Sequence, residues 1–344
     1  MSKSAARHLA TSRHTMITSL VLAVLLAAGA TSAALLLNVH TFPASARDYP
    51  EATDCAQRKT PKPPYVGVAL SKPSPILLSQ FCTATKVSPN IVEMYVKFSK
   101  LGSAFNPQLM SRLTQKGALP LIQINPRKIK LATIVAGKWN RELHAFASAV
   151  RKFNHEVAIS FGHEMDGGWY SWGYLRKDST PEIFIKAWRH IHHVFAEEHA
   201  TKVKWVWTID RIVRRATGPR RKQVAPARRW WPGPNYVNWI GIDGYFRKPG
   251  DSFGKLFNAQ LASVREFTRR PVLITETAVP NTRKPAIKTA QIHELFKRTT
   301  ASGDASASRM LGFIWFDIKA KEDWPIDNDR IAREAFHTDA SEYR

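Results

Sequence analysis

Two glutamates stand where apolar runs end. His163-Glu164 closes the run in ISFGHEMDGGWYSWG (159–173), and Glu276 closes another in PVLITETA (271–278). A carboxyl just past a buried strand lies at the lip of a sheet, within reach of solvent and ligand. Either glutamate alone is equally well explained as a solvated residue at the start of a loop. A facing pair is different, because cleavage of a glycosidic bond needs two carboxyls in opposite states. One stays protonated to donate to the leaving oxygen, and the other is ionised to attack or to activate water. Aromatic residues stand near run ends too: Trp169, Tyr170 and Trp172 after Glu164, Tyr245 after the sixth run in GIDGY, and Trp315 near the end of the eighth in GFIWF. Flat rings stack on the apolar faces of sugars. Trp205, Trp207 and Trp239 lie inside apolar runs and read as core. Trp169 and Trp172 sit in a loop where Gly167-Gly168 permits a tight turn.

These residues need elements to position them. Eight short, nearly continuous apolar runs fall at 65–70, 91–98, 118–124, 156–161, 203–209, 237–242, 271–275 and 310–316. Such runs fit strands buried on both faces. Amphipathic patterns at 106–117, 140–153, 180–199, 251–267 and 284–300 predict helices between them, and Thr180-Pro181 is a helix start. The alternation predicts a (β/α)8 barrel over 65–344, with chemistry at the C-terminal strand ends. Strands four and seven then aim Glu164 and Glu276 at one central hollow. The third run ends LIQINP, which puts Gln123 and Asn125 at the lip.

Other chemistries find less support. HEMDG is not H-E-x-x-H, since position 167 is glycine, and no G-x-G-x-x-G follows the first strand. His190, His192, His193 and His199 lie on a predicted outer helix and read as surface residues. No metal site and no cofactor are expected.

Residues 1–46 are a separate region. A basic stub (Lys3, Arg7, Arg13) precedes an uncharged run at 17–37, long enough to span a bilayer. A membrane anchor and a signal peptide cleaved after Ala44-Ser45-Ala46 both fit. Either way the remainder is exported, tethered outside the membrane or secreted. Residues 47–64 form a Pro-rich linker. Cys55 and Cys82 are a disulfide candidate joining linker to domain, with two unpaired thiols as the alternative.

The chain carries a formal net charge of +24. Arg211, Arg214, Arg215, Arg220, Arg221, Lys222, Arg228 and Arg229 crowd one loop (211–229) after the fifth run. That loop suits an anionic polymer or an anionic membrane surface, or is simply a solvated loop in a basic protein. Nucleic acid is not expected as a partner, since no recognition module accompanies the arginines. A monomer is expected.

HEMDGGWYSWG, YVNWIGIDGY, PVLITETA and GFIWFD, in this order, resemble glycoside hydrolase family 26. That family contains retaining endo-β-mannanases and related β-glucanases and β-xylanases on (β/α)8 barrels. The resemblance implies Glu164 as acid/base and Glu276 as nucleophile. It further implies His163 orienting the site, Tyr245 bonded to the nucleophile, and Trp169, Trp172 and Trp315 as sugar platforms; no histidine matches at the third strand, where Asn125 stands. The expected function is a retaining endo-β-glycanase acting on polysaccharide. The alternative is a barrel that binds wall polysaccharide without cleaving it.

Overall fold

The computed structural model describes residues 61–211, 226–300 and 309–342. Residues 1–46, most of the linker with Cys55, and 212–225 therefore lie outside the described residues. Cys82 is disulfide-bonded. No helix among the described residues is long and apolar enough to cross a membrane.

Eight strands, β1 (Tyr65–Leu70), β2 (Ile91–Lys97), β3 (Leu119–Asn125), β4 (Val157–Phe161), β5 (Val203–Asp210), β6 (Trp239–Asp243), β7 (Val272–Thr277) and β8 (Met310–Phe316), form a closed barrel. Every neighbouring pair is parallel, β1 with β8 included. Each of the eight apolar runs is one of these strands. Around them lie α1 (Pro75–Thr85), α2 (Pro107–Gln115), α3 (Leu131–Val135), α4 (Asn140–Phe153), α5 (Pro181–Glu197), α6 (Ala259–Arg265), α7 (Pro285–Thr300) and α8 (Arg330–Glu342). The Thr180 hydroxyl accepts from Ile183 N at 3.3 Å, capping α5 ahead of Pro181. Sequence periodicity missed α1, α3 and α8. It also missed that the 251–267 segment opens as a π-turn over Gly254–Asn258 before α6.

Side chains alternate across each strand. One set packs outward on the helices, as Val92, Ile122, Ile159 and Ile274 do. The other set points into the barrel, where Ile91, Leu121, Ala158, Val206, Trp239 and Leu273 belong to a separate apolar cluster that forms its floor. Two residues further along the same strands the chemistry changes. Glu93, Gln123, Ser160, Thr208, Gly241 and Thr275 make a polar layer above that floor. Ser160 Oγ and Thr208 Oγ1 are 3.1 Å apart, and Thr275 Oγ1 donates to Asp243 Oδ1 at 2.6 Å. A Cβ at Gly241 would overlap the hydroxyls of Thr208 and Thr275, so the layer closes only around a glycine.

The β1–β8 seam depends on another glycine. Gly312 has φ 124 and pairs with Tyr65, whose backbone fills the space a Cβ would need. Gly312→Ala should therefore destabilise the barrel by about 3 kcal/mol or more, combining strain with overlap. Gly250→Ala, on an exposed loop, should stay within about 0.5 kcal/mol. Urea unfolding of both variants checks the contrast; equal stabilities would show that the seam tolerates a side chain.

Candidate active site

Local backbone geometry places Glu164. After β4 the chain turns through two left-handed residues, Gly162 (φ 57) and Glu164 (φ 50), and Glu164 N donates to Thr208 O at 3.0 Å. Glycine adopts that region freely, but a glutamate there is strained and must be held by its surroundings. Glu276 is placed by an irregularity. The β6–β7 register shifts between Ile242 and Asp243, so that Asp243 pairs with Glu276 rather than with Thr275. A bulge of this kind re-aims one side chain at the barrel rim.

The two carboxyls have different partners. Glu276 accepts from Tyr95 Oη at 2.7 Å on one oxygen and from Tyr245 Oη on the other. Glu164 accepts from Trp169 Nε1 at 2.5 Å. Both are buried, at 7% and 5% exposure for Glu164 and Glu276. Burial pushes Glu164 well above the ordinary carboxylate range, and the charges of Asp210 and Glu276 push it further. Burial raises Glu276 too, but the two phenols pull it back. The arrangement therefore favours a protonated Glu164 beside an ionised Glu276. Such a pair can donate a proton at one point and a carboxylate oxygen at another.

His163 is buried, and burial alone pushes its pKa down to about 3, so the ring is neutral. Its Nε2 lies 3.0 Å from Tyr170 Oη. His163, Asp243 and Glu276 bring ligand atoms within 4.8 Å of one another, a spacing that could suit a cation. Nε2 of His163 is engaged by Tyr170 and both oxygens of Glu276 by phenols, whereas Nδ1 of His163 and Oδ2 of Asp243 have no hydrogen-bond partner among the described residues. Among the described residues a second such group, His293, Asp339 and Glu342, lies on α7 and α8, with His293 Nδ1 2.8 Å from Asp339. On α5, His190 meets Asn140 at 2.7 Å, His192 packs on Trp205 and Tyr236, and His193 pairs with Glu197 at 3.1 Å.

Of the expected sugar platforms, Trp169 is 38% exposed and faces an open cleft of about 720 Å³. Asn125 lines the same cleft. Trp315 does not fit the expectation, whereas Trp172 lines the same cleft with little of its surface open. Trp172 is buried, stacked on Tyr170 at 4.3 Å, and its Nε1 donates to His163 O at 2.8 Å. It fixes the backbone beneath the histidine. Trp315 is fully buried because alternation along β8 turns it outward, between Ile314 and Phe316, against Phe336 of α8. Its Nε1 instead supports Trp324 O at 3.2 Å. Trp324 packs beside Tyr245, and Arg247 lies 4.9 Å over the Tyr245 ring while pairing with Glu322 at 2.6 Å. In the 211–229 loop, Arg228 and Arg229 are exposed, whereas Arg214, Arg215, Arg220, Arg221 and Lys222 lie outside the described residues.

Sequence reasoning missed Tyr95, Glu93, Asp210 and Asp243. The signal was present: Glu93 and Tyr95 sit two apart inside an apolar run, IVEMYVKF, where a polar residue must face something specific.

A closed parallel barrel with a facing carboxyl pair at its C-terminal rim is an arrangement that (β/α)8 glycosidases share. The model of glycosyl hydrolase family 26 matches residues 154–270. Endoglucanase H of Acetivibrio thermocellus is 24% identical over 277 residues, 77% of this chain and 29% of that protein. Mannan endo-1,4-beta-mannosidase A and B of Caldalkalibacillus mannanilyticus is 27% identical over 47% of this chain and 31% of that protein. The chain thus spans about a third of the length of these curated relatives. Among solved structures, a β-mannanase of this family from Bacteroides ovatus superposes with TM-score 0.58 at 14% identity, covering 81% of this chain and 88% of that one. A Bacillus subtilis mannanase gives 0.57 at 15%, covering 83% and 87%. The chain thus resembles glycosyl hydrolase family 26 over residues 154–270.

The phenol and indole contacts predict opposed titrations. Removing the Tyr95 hydroxyl (Tyr95→Phe) takes a donor from ionised Glu276, so its midpoint should rise. Trp169→Phe takes the donor from Glu164, and that midpoint should rise instead. Carboxyl 13C shifts of labelled glutamates across pH read both, and a midpoint that stays put would remove the corresponding contact from the account.

Proposed function

We propose that this protein is a retaining endo-β-glycanase. The carrying observation is the asymmetric carboxyl pair, with Glu276 held by Tyr95 and Tyr245 and Glu164 held only by Trp169. Protonated Glu164 gives its proton to the glycosidic oxygen while a Glu276 oxygen bonds the anomeric carbon. The released carboxylate of Glu164 then takes a proton from water, which attacks that carbon and frees Glu276. A carboxyl separation of about 5–5.5 Å suits this double displacement. Neutral His163 sits against Tyr170 and near Glu276 without adding charge, and Trp169 offers its ring to a sugar. The names of the relatives, an endoglucanase and a mannan endo-1,4-β-mannosidase, favour β-linked glucan or mannan as the polymer class.

The basic stub and apolar run before residue 47 support export, either anchored at the outer face of the membrane or secreted. The positive charge of the chain favours an acidic polymer or surface as partner.

Glu276→Ala and Glu164→Ala should each lower the turnover of β-mannan or mixed-linkage β-glucan about a thousandfold or more. The acid limb of the wild-type pH profile should follow protonation of Glu276, and the alkaline limb loss of the Glu164 proton. Proton NMR of the first product should show the substrate's anomeric configuration. Binding of polymer by the wild type with no reducing ends released would instead identify a non-catalytic barrel, and an inverted product would refute the double displacement.

A further inference from the structure

The cleft beside the carboxyl pair has an unusual wall. Tyr95 and Trp169, which donate to Glu276 and Glu164 respectively, both line it, so it is continuous with the site. Around them the end of β2 contributes Lys97 and the loops after β3 and β4 contribute Arg127, Lys128 and Arg176, and no acidic residue lines the cleft. Elsewhere on the surface Arg141, Lys204, Arg247 and Arg330 each meet a glutamate within 3.1 Å. Among the described residues, none of the four cleft cations stands in an ion pair.

One of the four is also tied to the fold. Arg176 Nε donates to Tyr170 O at 3.2 Å, which ties the guanidinium to the loop that carries Trp169. A row of unpaired, partly fixed cations beside a sugar-stacking ring is an anion site.

The barrel mouth argues for the same partition. Glu164, Asp210, Asp243 and Glu276 already crowd its centre, and an anionic substituent over the scissile bond would be repelled there. The cleft wall offers the place where such a group is attracted.

We propose that this cleft binds a negatively charged sugar unit, and that the polymer cleaved is therefore an acidic β-glycan. This rests on the hydrolase reading above.

Polymannuronate and its carboxyl-reduced product, β-1,4-mannan, share backbone and linkage and differ in charge, so they test it on the full-length chain. A sulfated preparation of the same mannan separates uronate from sulfate ester as the source of the anion. Wild type should favour a charged polymer by about tenfold or more in kcat/KM, and the preference should shrink in about 0.5 M salt. The triple variant Arg127→Gln, Lys128→Gln, Arg176→Gln should lose about tenfold of that charged-to-neutral ratio. Equal rates on charged and neutral polymers, or a triple variant with the wild-type ratio, would overturn the proposal while leaving the hydrolase reading intact. If no polymer is cleaved, the hydrolase reading fails. Binding of the same polymers to Glu276→Ala then decides the cleft: preference for the anion, lost on adding the triple substitution, supports the anion site, and equal affinities refute it.

Discussion

The interaction on which the site depends is repulsion among buried acids. Glu93, Glu164, Asp166, Asp210, Asp243 and Glu276 are all buried at or beneath the barrel mouth. Burial raises every one of them above its ordinary range. So many carboxyls cannot all ionise in a low-dielectric space, because each added charge raises the cost of the next. The arrangement of donors then selects which one carries the charge. Glu276 receives two phenol hydroxyls; Glu164 receives one indole N–H and faces the charges of Asp210 and Glu276. The neighbours that make ionisation of Glu164 costly are the same ones that keep a proton available there.

Backbone irregularity does the remaining work. A regular parallel barrel would place side chains by alternation alone, and alternation would set Thr275, not Glu276, into the interior. The register shift between β6 and β7 brings Glu276 level with Asp243, and the left-handed turn through Gly162 and Glu164 delivers the second carboxyl. Trp172, through its bond to His163 O, and the Glu164 N–Thr208 O bond hold that turn against its strain.

This explains what could be read in advance. Strands buried on both faces give continuous apolar runs, so all eight were visible, and their ends pointed to Glu164 and Glu276. Tyr245 followed from its place after β6. Trp315 was misread because residue type does not show orientation: it faces α8. Tyr95 and Asp243 escaped attention because they sit inside strands, where an apolar context hides a polar residue facing the barrel axis. The helices α1 and α8 were missed, and the weak amphipathic contrast of α1 offered little period to find.

The charge distribution unites these features. A chain of net charge +24 gathers its buried acids at one point and leaves cations unpaired along the adjoining wall. For a neutral sugar chain the acids alone would serve, since protonation and attack need only the carboxyl pair. The basic wall adds nothing to that chemistry. It does oppose the field of the acids, and such a gradient draws an anionic chain along the wall while keeping its charged groups away from the bond being cleaved. Catalysis and selection of the polymer would then use opposite charges on adjacent faces of one cleft, joined through Tyr95 and Trp169.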